Sequence, residues 1–461
     1  MPAASAVLCL CSAASAAPWV APLAAPPLGG PAAMLAVVAV LAVVFLLLRW
    51  HLRRSFDRQA AAPQYRPKRF ETTEPAGEQE AEAYVPISGA AIKPTDAQRV
   101  VRVDLGKRSY DVLIGPGAMK RLGEAAAALG SVRQAVVIAD STVAELYGRA
   151  ATDSLAAGGV TATLIDFPAG EEHKTLSTYG AVMDELLAVE PAIDRDSLIV
   201  ALGGGVAGDL AGFVAATALR GLRWIACPST LLADVDASVG GKTAVDHPSG
   251  KNLIGAFHQP RAVLIDTSVL ATLDARELRS GLAECVKHGM IRDERLLDFI
   301  AANAAAILAV KEDVMTELVT RNVAIKAAVV SADERESSVR SHLNFGHTVG
   351  HAVETHLGLG KITHGQAVSL GMVAACEIAV RRGLIDAAYA GRLKDLLAAL
   401  HLPVAIKGLD AAAIWGIIQH DKKARAGRIR MILPTGPGQV AIFDDIGLGE
   451  VIESLAETDT L

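Results

Sequence analysis

The stretch Ser197-Leu-Ile-Val-Ala-Leu-Gly-Gly-Gly-Val-Ala-Gly-Asp209 decides the fold. Leu198–Leu202 is an apolar run that reads as a strand, and a helical pattern opens directly behind it. Between them Gly203, Gly205 and Gly208 keep the spacing G-x-G-x-x-G. Such a turn lets backbone N–H groups approach a pyrophosphate, which then rests on the helix N-terminus. The match is weak alone: it sits on a later strand than the usual dinucleotide fingerprint, and no acidic residue ends a strand about 20 residues on.

Outward from this turn the same texture repeats. Val101–Leu105 and Tyr110–Ile114 alternate as two short strands joined near Gly106, and Ala135–Ala139 is a compact strand followed by a helical stretch around Val143–Leu155. Thr161–Phe167 is a further strand, a helix covers Thr175–Val189, and Trp224–Cys227 is one more strand. Strands alternating with helices across short turns mean a parallel, doubly wound α/β sheet. After about Ala275 strand signals fade, and Ala- and Leu-rich helical patterns run to roughly Leu400. The expected organisation is an N-terminal doubly wound nucleotide-binding domain over 98–274 and an all-helical domain over 275–461.

Composition agrees with that class. Half of the 461 residues are apolar but only 4 % are aromatic, so small aliphatic side chains fill the interior. The net charge of −6 gives no general attraction to nucleic acid. The five cysteines (Cys9, Cys11, Cys227, Cys285 and Cys376) form no spaced framework, which indicates a reducing compartment without disulfides. The first 48 residues carry no Asp, Glu, Lys, Arg or His, and Ala32–Leu48 is an unbroken apolar run followed by Arg49, Arg53 and Arg54. That is short for a membrane span, and the trailing charges favour a cytoplasmic C-terminal side. Alternatives are an over-long reading frame whose true start lies downstream, or a signal or transit peptide. Residues 55–97, which complete the extension 1–97, are polar, acidic and proline-containing, as a disordered linker is.

Three segments carry metal-ligand chemistry. Glu284 and Lys287 lie i and i+3 on one helix face, His347 and His351 lie i and i+4, and His364-Gly365 forms the third. A Glu and two His suit a catalytic Zn²⁺ or similar ion with positions left open for substrate oxygens. The H-x-x-x-H spacing also suggests a zinc peptidase helix, but Thr348 stands where that chemistry needs glutamate. Any single His is more often structural than ligating; three in glycine-flanked helix starts are not. Lys242 follows two glycines and Lys251 sits in Ser249-Gly-Lys-Asn, where a flexible backbone aims an ammonium at an anion such as phosphate. Gly241-Lys242-Thr243 is not a P-loop, because Asp236 stands where its first glycine belongs. Arg340 is placed for fork-like pairing with a carboxylate. Asp140, ending a strand, could hold ribose hydroxyls or merely cap a helix.

Taken together the chain resembles the 3-dehydroquinate synthase family of the shikimate pathway, from about Arg99 to Gly447. The carrying segments are Gly170-Glu171-x-x-Lys174, Gly203–Gly212, Pro228-Ser-Thr-Leu-Leu-Ala, Asp236-x-Ser-Val-Gly-Gly-Lys-Thr, Gly250-Lys-Asn-Leu-Ile-Gly, Asp333-Glu-x-Glu, Leu343–His351, His364-Gly365 and Asp421-Lys-Lys. The resemblance implies metal ligands Glu284, His347 and His364. It implies NAD contacts at Asp140, Glu171, Lys174, Gly204, Gly205, Val206, Asp209, Ser229, Thr230, Asp236, Lys242, Lys251, Thr272, Leu273 and Glu277. Substrate-phosphate contacts fall on Lys242, Asn252, Asn344, His351 and Lys422, with Arg220 reaching across a dimer interface. Lys326 and Arg340 match the carboxylate grip, and Asp236 and Lys287 lie near the reacting hydroxyls. Where the family usually has Glu after His-Gly this chain has Gln366, which removes a possible acceptor charge for His364. Ser229 replaces a usual Thr, Asp234 stands where Gln is common, and Ser337-Ser338 occupies a position often glycine.

The implied activity is a phosphate-eliminating lyase. It converts 3-deoxy-D-arabino-heptulosonate 7-phosphate to 3-dehydroquinate by transient oxidation, elimination, re-reduction and intramolecular aldol closure, using NAD and one Zn or Co ion. The implied setting is a cytoplasmic homodimer, with membrane contact only through 32–48. Competing readings are another sugar-phosphate cyclase making an inosose or valiolone, a metal-dependent polyol dehydrogenase of the same architecture, or a tethered non-catalytic protein.

Overall fold

The protein is described by a computed structural model covering residues 93–358, 360–406, 409–421 and 429–459. The apolar run 32–48, most of the expected linker and Lys422 lie outside the described residues. Among the described residues no helix is long and apolar enough to cross a membrane.

Seven strands form the main sheet: β1 (Arg99–Val103), β2 (Tyr110–Ile114), β3 (Gln134–Asp140), β4 (Thr161–Phe167), β5 (Leu198–Gly203), β6 (Arg223–Pro228) and β9 (Ala262–Ile265). Their order is β1-β2-β9-β6-β5-β3-β4, with β1 antiparallel to β2 and every other pairing parallel. Both faces are buried, as the apolar runs require. Val136 and Ile138 of β3 and Ile199 of β5 join one core; Ala135, Val137, Leu198 and Val200 point into the other. Helices α1 (Leu122–Ala128) and α2 (Arg149–Ala157) cover the second face, and α3 (Leu176–Leu187) and α4 (Gly205–Thr217) the first.

The chain goes outward from β3 to edge strand β4 and then returns to place β5 on the other side of β3. The loops leaving β3 and β5 therefore diverge, opening a crevice at the carboxyl ends of these strands where α/β proteins bind ligands. Gly203 sits at this point with φ 147°; a Cβ there would lie 2.6 Å from Ala207 Cβ and 3.0 Å from Asp140 Oδ2. Only glycine fits that approach.

Two features exceed the sequence reading. Lys242–His247 (β7) and Gly250–Phe257 (β8) form an antiparallel hairpin, and β9 completes the sheet between β2 and β6. The glycine content of Val239–Gly255 masked the alternation that marks a strand.

From Ala275 the structure is helical: α5 (Ala275–Arg292), α6 (Glu294–Leu308), α7 (Glu312–Ala332), α8 (His347–Leu357), α9 (His364–Arg381), α10 (Ala387–Ala399), α11 (Ala411–Asp421) and α12 (Leu448–Asp459). One hairpin, β10 (Ile429–Gly436) with β11 (Gln439–Ile446), is inserted among them, so the domain expected to be all-helical also carries a two-stranded sheet, whose alternation Pro434, Gly436 and Gly438 interrupt in the sequence. Asp274 caps α5 by accepting from Arg276 N at 2.7 Å, and nearly every residue from Leu278 to Ile291 is buried. Helix α9 packs directly on α5, since a Cβ at Gly365 would strike the Ser280 carbonyl oxygen. That close approach brings His364 to Glu284.

Candidate active site

Glu284 is fully buried on α5, and neither of its oxygens accepts a well-directed hydrogen bond. His347 Nε2 lies 3.6 Å and His364 Nε2 3.4 Å from Glu284 Oε1, and the three ligand atoms fall within 4.8 Å of one another. Donors about 2.0–2.1 Å from one tetrahedral ion stand roughly 3.3 Å apart, so the set fits a divalent cation of the zinc type. The tautomers fit as well. His347 Nδ1 donates to the Phe345 carbonyl at 3.1 Å, which leaves the Nε2 lone pair facing Glu284. The ring of His351 is 5.2 Å from that of His347 and 5.8 Å from that of His364, so it borders the cluster.

The electrostatics match a cation site. Burial pushes the Glu284 carboxyl up, but the ammonium of Lys287 against Oε2, and then His347, outweigh it and hold Glu284 well below the usual carboxylate range. Burial drives His347 well below its ordinary value. For His364 burial also opposes charge, yet the Glu284 and Glu354 carboxylates beside its two ring nitrogens raise it to about 9. A divalent ion would displace that proton.

Asp236, Glu284 and His288 form a second cluster of ligand atoms within 4.8 Å. Here the anions are already matched: Lys326 lies against Asp236 Oδ1 and Lys287 against Glu284. His288 is neutral at pH 7, lowered by burial and then by Lys287 to about 4, with Nδ1 3.0 Å from Asn322 Oδ1. Its Nε2 is buried without a hydrogen-bond partner, 4.0 Å from Asp236 Oδ1. This cluster suits handling protons and hydroxyls, not a second cation.

Lys326 is buried on α7, and burial lowers it to about 8 against the pull of Asp236. Arg340 is 2 % exposed; it donates to the Gly240 and Glu334 carbonyls and keeps a buried Nε without a partner. Its backbone is fixed by Asp333, which accepts from the N–H groups of Ser337, Ser338 and Arg340 at 2.8, 2.6 and 3.0 Å. Two desolvated cations, Lys326 and Arg340, thus stand near Asp236, which shares a cluster with Glu284, and both keep donors to spare.

Gly203, Gly204, Gly205 and Gly208 line a small pocket that also reaches Ser238 and Lys242. Asp140 caps the helical turn after β3, accepting from Thr142 N and Val143 N at 3.1 Å, so the capping role is realised whatever else it binds. Lys174 is buried and donates to Asp209 Oδ2 and to Asn252 Oδ1, both at 2.5 Å. Ser229 N donates to Gly203 O, Thr230 Oγ1 accepts from Ala233 N, and Thr272 Oγ1 is 2.6 Å from Tyr147 OH. Val206 is half-buried in the first turn of α4; Leu273 is half-buried and Glu277 exposed at the start of α5. Lys251 Nζ stands 3.4 Å from Glu171 Oε1. Arg220 is exposed in a left-handed turn after α4, with φ 69°.

Three residues escaped the sequence reading. Glu336, at φ 60°, lies with Oε2 against Lys242 Nζ and accepts from Asn344 Nδ2 at 2.8 Å. Its only sequence signal was the Asp333-Glu-x-Glu run. His288 was one of several histidines with no spacing to distinguish it. Glu354, one turn beyond His351, stands 3.7 Å from His364 Nδ1.

This geometry has counterparts among known proteins. Profiles for the 3-dehydroquinate synthase N-terminal and C-terminal regions match residues 164–280 and 281–424. The 3-dehydroquinate synthase of Geobacter metallireducens is 47 % identical over 351 residues, covering 76 % of this chain and 97 % of that protein. The chain belongs to the 3-dehydroquinate synthase family. The Synechococcus 3-dehydroquinate synthase is 45 % identical over 359 residues, 77 % of this chain and 96 % of its own. Among solved structures, the 2-epi-5-epi-valiolone synthase of Streptomyces hygroscopicus, with NAD⁺ and Zn²⁺ bound, superposes with a TM-score of 0.70 at 30 % identity, covering 78 % of this chain and 99 % of that one. A 2-deoxy-scyllo-inosose synthase complexed with carbaglucose-6-phosphate, NAD⁺ and Co²⁺ gives 0.68 at 27 %, covering 78 % of this chain and all of that one. Glycerol dehydrogenase from Schizosaccharomyces pombe shares the fold at 19 % identity and a TM-score of 0.55. The parallel-sheet and helical halves read from the sequence are thus those of the 3-dehydroquinate synthase family and its cyclase neighbours.

Proposed function

We propose that this protein converts 3-deoxy-D-arabino-heptulosonate 7-phosphate to 3-dehydroquinate and phosphate. The observation that carries the reading is the meeting of Glu284, His347 and His364 on one centre, joined through Glu284 to Asp236 and the buried cations Lys326 and Arg340 near it. Glu284, His347 and His364 would hold one Zn or Co ion, and the glycine turn Gly203–Gly208 would receive the NAD pyrophosphate. When bound, NAD takes up and returns a hydride, and the ion polarises the oxygen on the carbon being oxidised.

The chain's own groups do the rest. Lys326 and Arg340 grip the substrate carboxylate, Arg340 through its fork of donors. Lys242, Asn252, Asn344, His351 and Lys422 hold the phosphate and fix its orientation, which makes elimination an intramolecular proximity effect. Asp236 and Lys287 orient the reacting hydroxyls, with Asp236 accepting and Lys287 donating. The carboxylate grip favours this substrate over sugar phosphates without a carboxylate, which inosose- or valiolone-forming cyclases would take. We place the domains at 98–274 and 275–461, and the active species as a cytoplasmic homodimer in which Arg220 completes the partner's phosphate site. Membrane contact would run through 32–48 alone.

The test is phosphate release from the heptulosonate phosphate with sub-stoichiometric NAD, with and without a chelator. Turnover that the chelator abolishes supports the reading. Accumulation of NADH in step with product would contradict it, and net NAD reduction with glycerol would point to a polyol dehydrogenase. Sedimentation and membrane fractionation test the dimer and the anchor.

A further inference from the structure

Gln366 stands where the family usually has Glu, and from the sequence it removes a possible acceptor charge for His364. The structure uses Gln366 differently. Its side-chain oxygen accepts from Thr363 N at 2.9 Å and its own N–H bonds to Thr363 Oγ1 at 3.3 Å, which closes a capping box at the start of α9. A carboxylate from another helix reaches His364 instead. Glu354 Oε2, on α8, lies 3.7 Å from His364 Nδ1, while His364 Nε2 faces Glu284 Oε1 at 3.4 Å. One nitrogen of the ring is therefore in the ion cluster and the other beside a carboxylate.

The second oxygen of Glu354 is also held. Lys251 Nζ donates to Glu354 Oε1 at 2.8 Å and stands 3.4 Å from Glu171 Oε1. Glu354 is only 9 % exposed, so its carboxylate is confined between β8 and α9 and has few other orientations. A carboxylate at the outer nitrogen of a ligating imidazole fixes the ring's rotation and raises its basicity toward the metal.

We propose that Glu354 is the positioning residue for His364 and that Lys251 holds Glu354 in place, a role Gln366 does not have. The proposal rests on the reading of Glu284, His347 and His364 as a metal site. Glu354 acts through His364 and does not itself touch the substrate.

The experiment is titration of metal-free protein with Co²⁺, following both affinity and the visible absorption of the loaded protein. Glu354→Gln is expected to weaken Co²⁺ binding by about 10- to 100-fold and to alter the band, as loss of such an outer partner does. Lys251→Met is expected to produce a smaller loss in the same direction. Gln366→Ala should lower the melting temperature through its lost cap while leaving affinity and spectrum as in the wild type. Wild-type affinity and spectrum in Glu354→Gln would overturn the proposal, as would a loss in Gln366→Ala equal to that in Glu354→Gln. If Glu354→Gln does not fold, Lys251→Met decides: unchanged binding there overturns the proposal. Glu284→Ala separates the two levels. If the wild type binds no Co²⁺, or Glu284→Ala binds it equally well, the metal reading itself has failed; if Glu284→Ala abolishes binding and Glu354→Gln does not weaken it, only the positioning role has.

Discussion

Replacing Lys287 with methionine removes the ammonium that lies against Glu284 in a place where both side chains are 1 % exposed or less. In metal-free protein the carboxylate would then be buried without its main partner. It cannot stay ionised at any cost, because it can always take a proton. At pH 7 that escape costs about 1.36 kcal/mol for each unit above an ordinary value of about 4.3, or about 3.7 kcal/mol. The two imidazoles lower that ceiling, so a loss of about 3 kcal/mol is expected, at the low end of the range for broken buried pairs. The sign follows from linkage. In the wild type the Glu284 value is depressed, so its contribution is present above the unfolded value and disappears as pH falls through the folded one. In the variant the folded value is raised, so stability falls as pH rises above the unfolded value of about 4.3. The gap between variant and wild type should thus shrink to about 1 kcal/mol at pH 5. Denaturant unfolding in a chelator at pH 5 and 7 measures this, and the double variant Lys287→Met/Glu284→Gln should recover most of the loss. Equal stability of the single variant and wild type at pH 7 would refute the reasoning, as would a gap independent of pH.

Other expectations follow from neighbouring residues. Lys326 is lowered to about 8, so kcat/KM should fall above that pH as the carboxylate grip loses its charge, and Lys326→Arg should move this limb out of the measured range. Gly365→Ala forces α9 off the Ser280 backbone; about 1–3 kcal/mol of stability should be lost, with Zn²⁺ affinity falling in the same variant. A methyl group at Gly208 would meet nothing within 4 Å, so Gly208→Ala should melt no lower than wild type, and a fall in NAD affinity would report the approach of the nucleotide. Lys242→Met should raise KM for the phosphorylated substrate at least tenfold, read by steady-state kinetics; one phosphate contact contributes about 1.5–3 kcal/mol.

The sheet was legible because its strands are buried on both faces and short turns punctuate them, as at Leu198–Gly203. The helical half was legible from the long patterns that became α5, α7 and α9. The β7–β8 hairpin was not, because Gly240, Gly241, Gly250 and Gly255 break the alternation, and β9 is too short at four residues to stand out. Glu284, His347, His351 and His364 could be named as candidates from residue type and glycine-flanked helix starts, and the family resemblance picked out Glu284, His347 and His364, but their convergence depends on Gly365 packing against Ser280, a tertiary contact no local pattern carries. Gln366 shows the limit most clearly. Its position in sequence suggested a partner for His364, yet a helix N-terminus competes for the same side chain and wins, while Glu354 approaches from α8.

The central claim is that one carboxylate and two imidazoles share an ion. X-ray absorption at the metal edge, recorded on Zn²⁺-loaded protein and on the His347→Ala and His364→Ala variants, tests it most directly. Two imidazole nitrogens among oxygen ligands at about 2.0–2.1 Å are expected, with one imidazole lost in each variant. A wild-type spectrum without imidazole scattering, or one that neither variant changes, would contradict it.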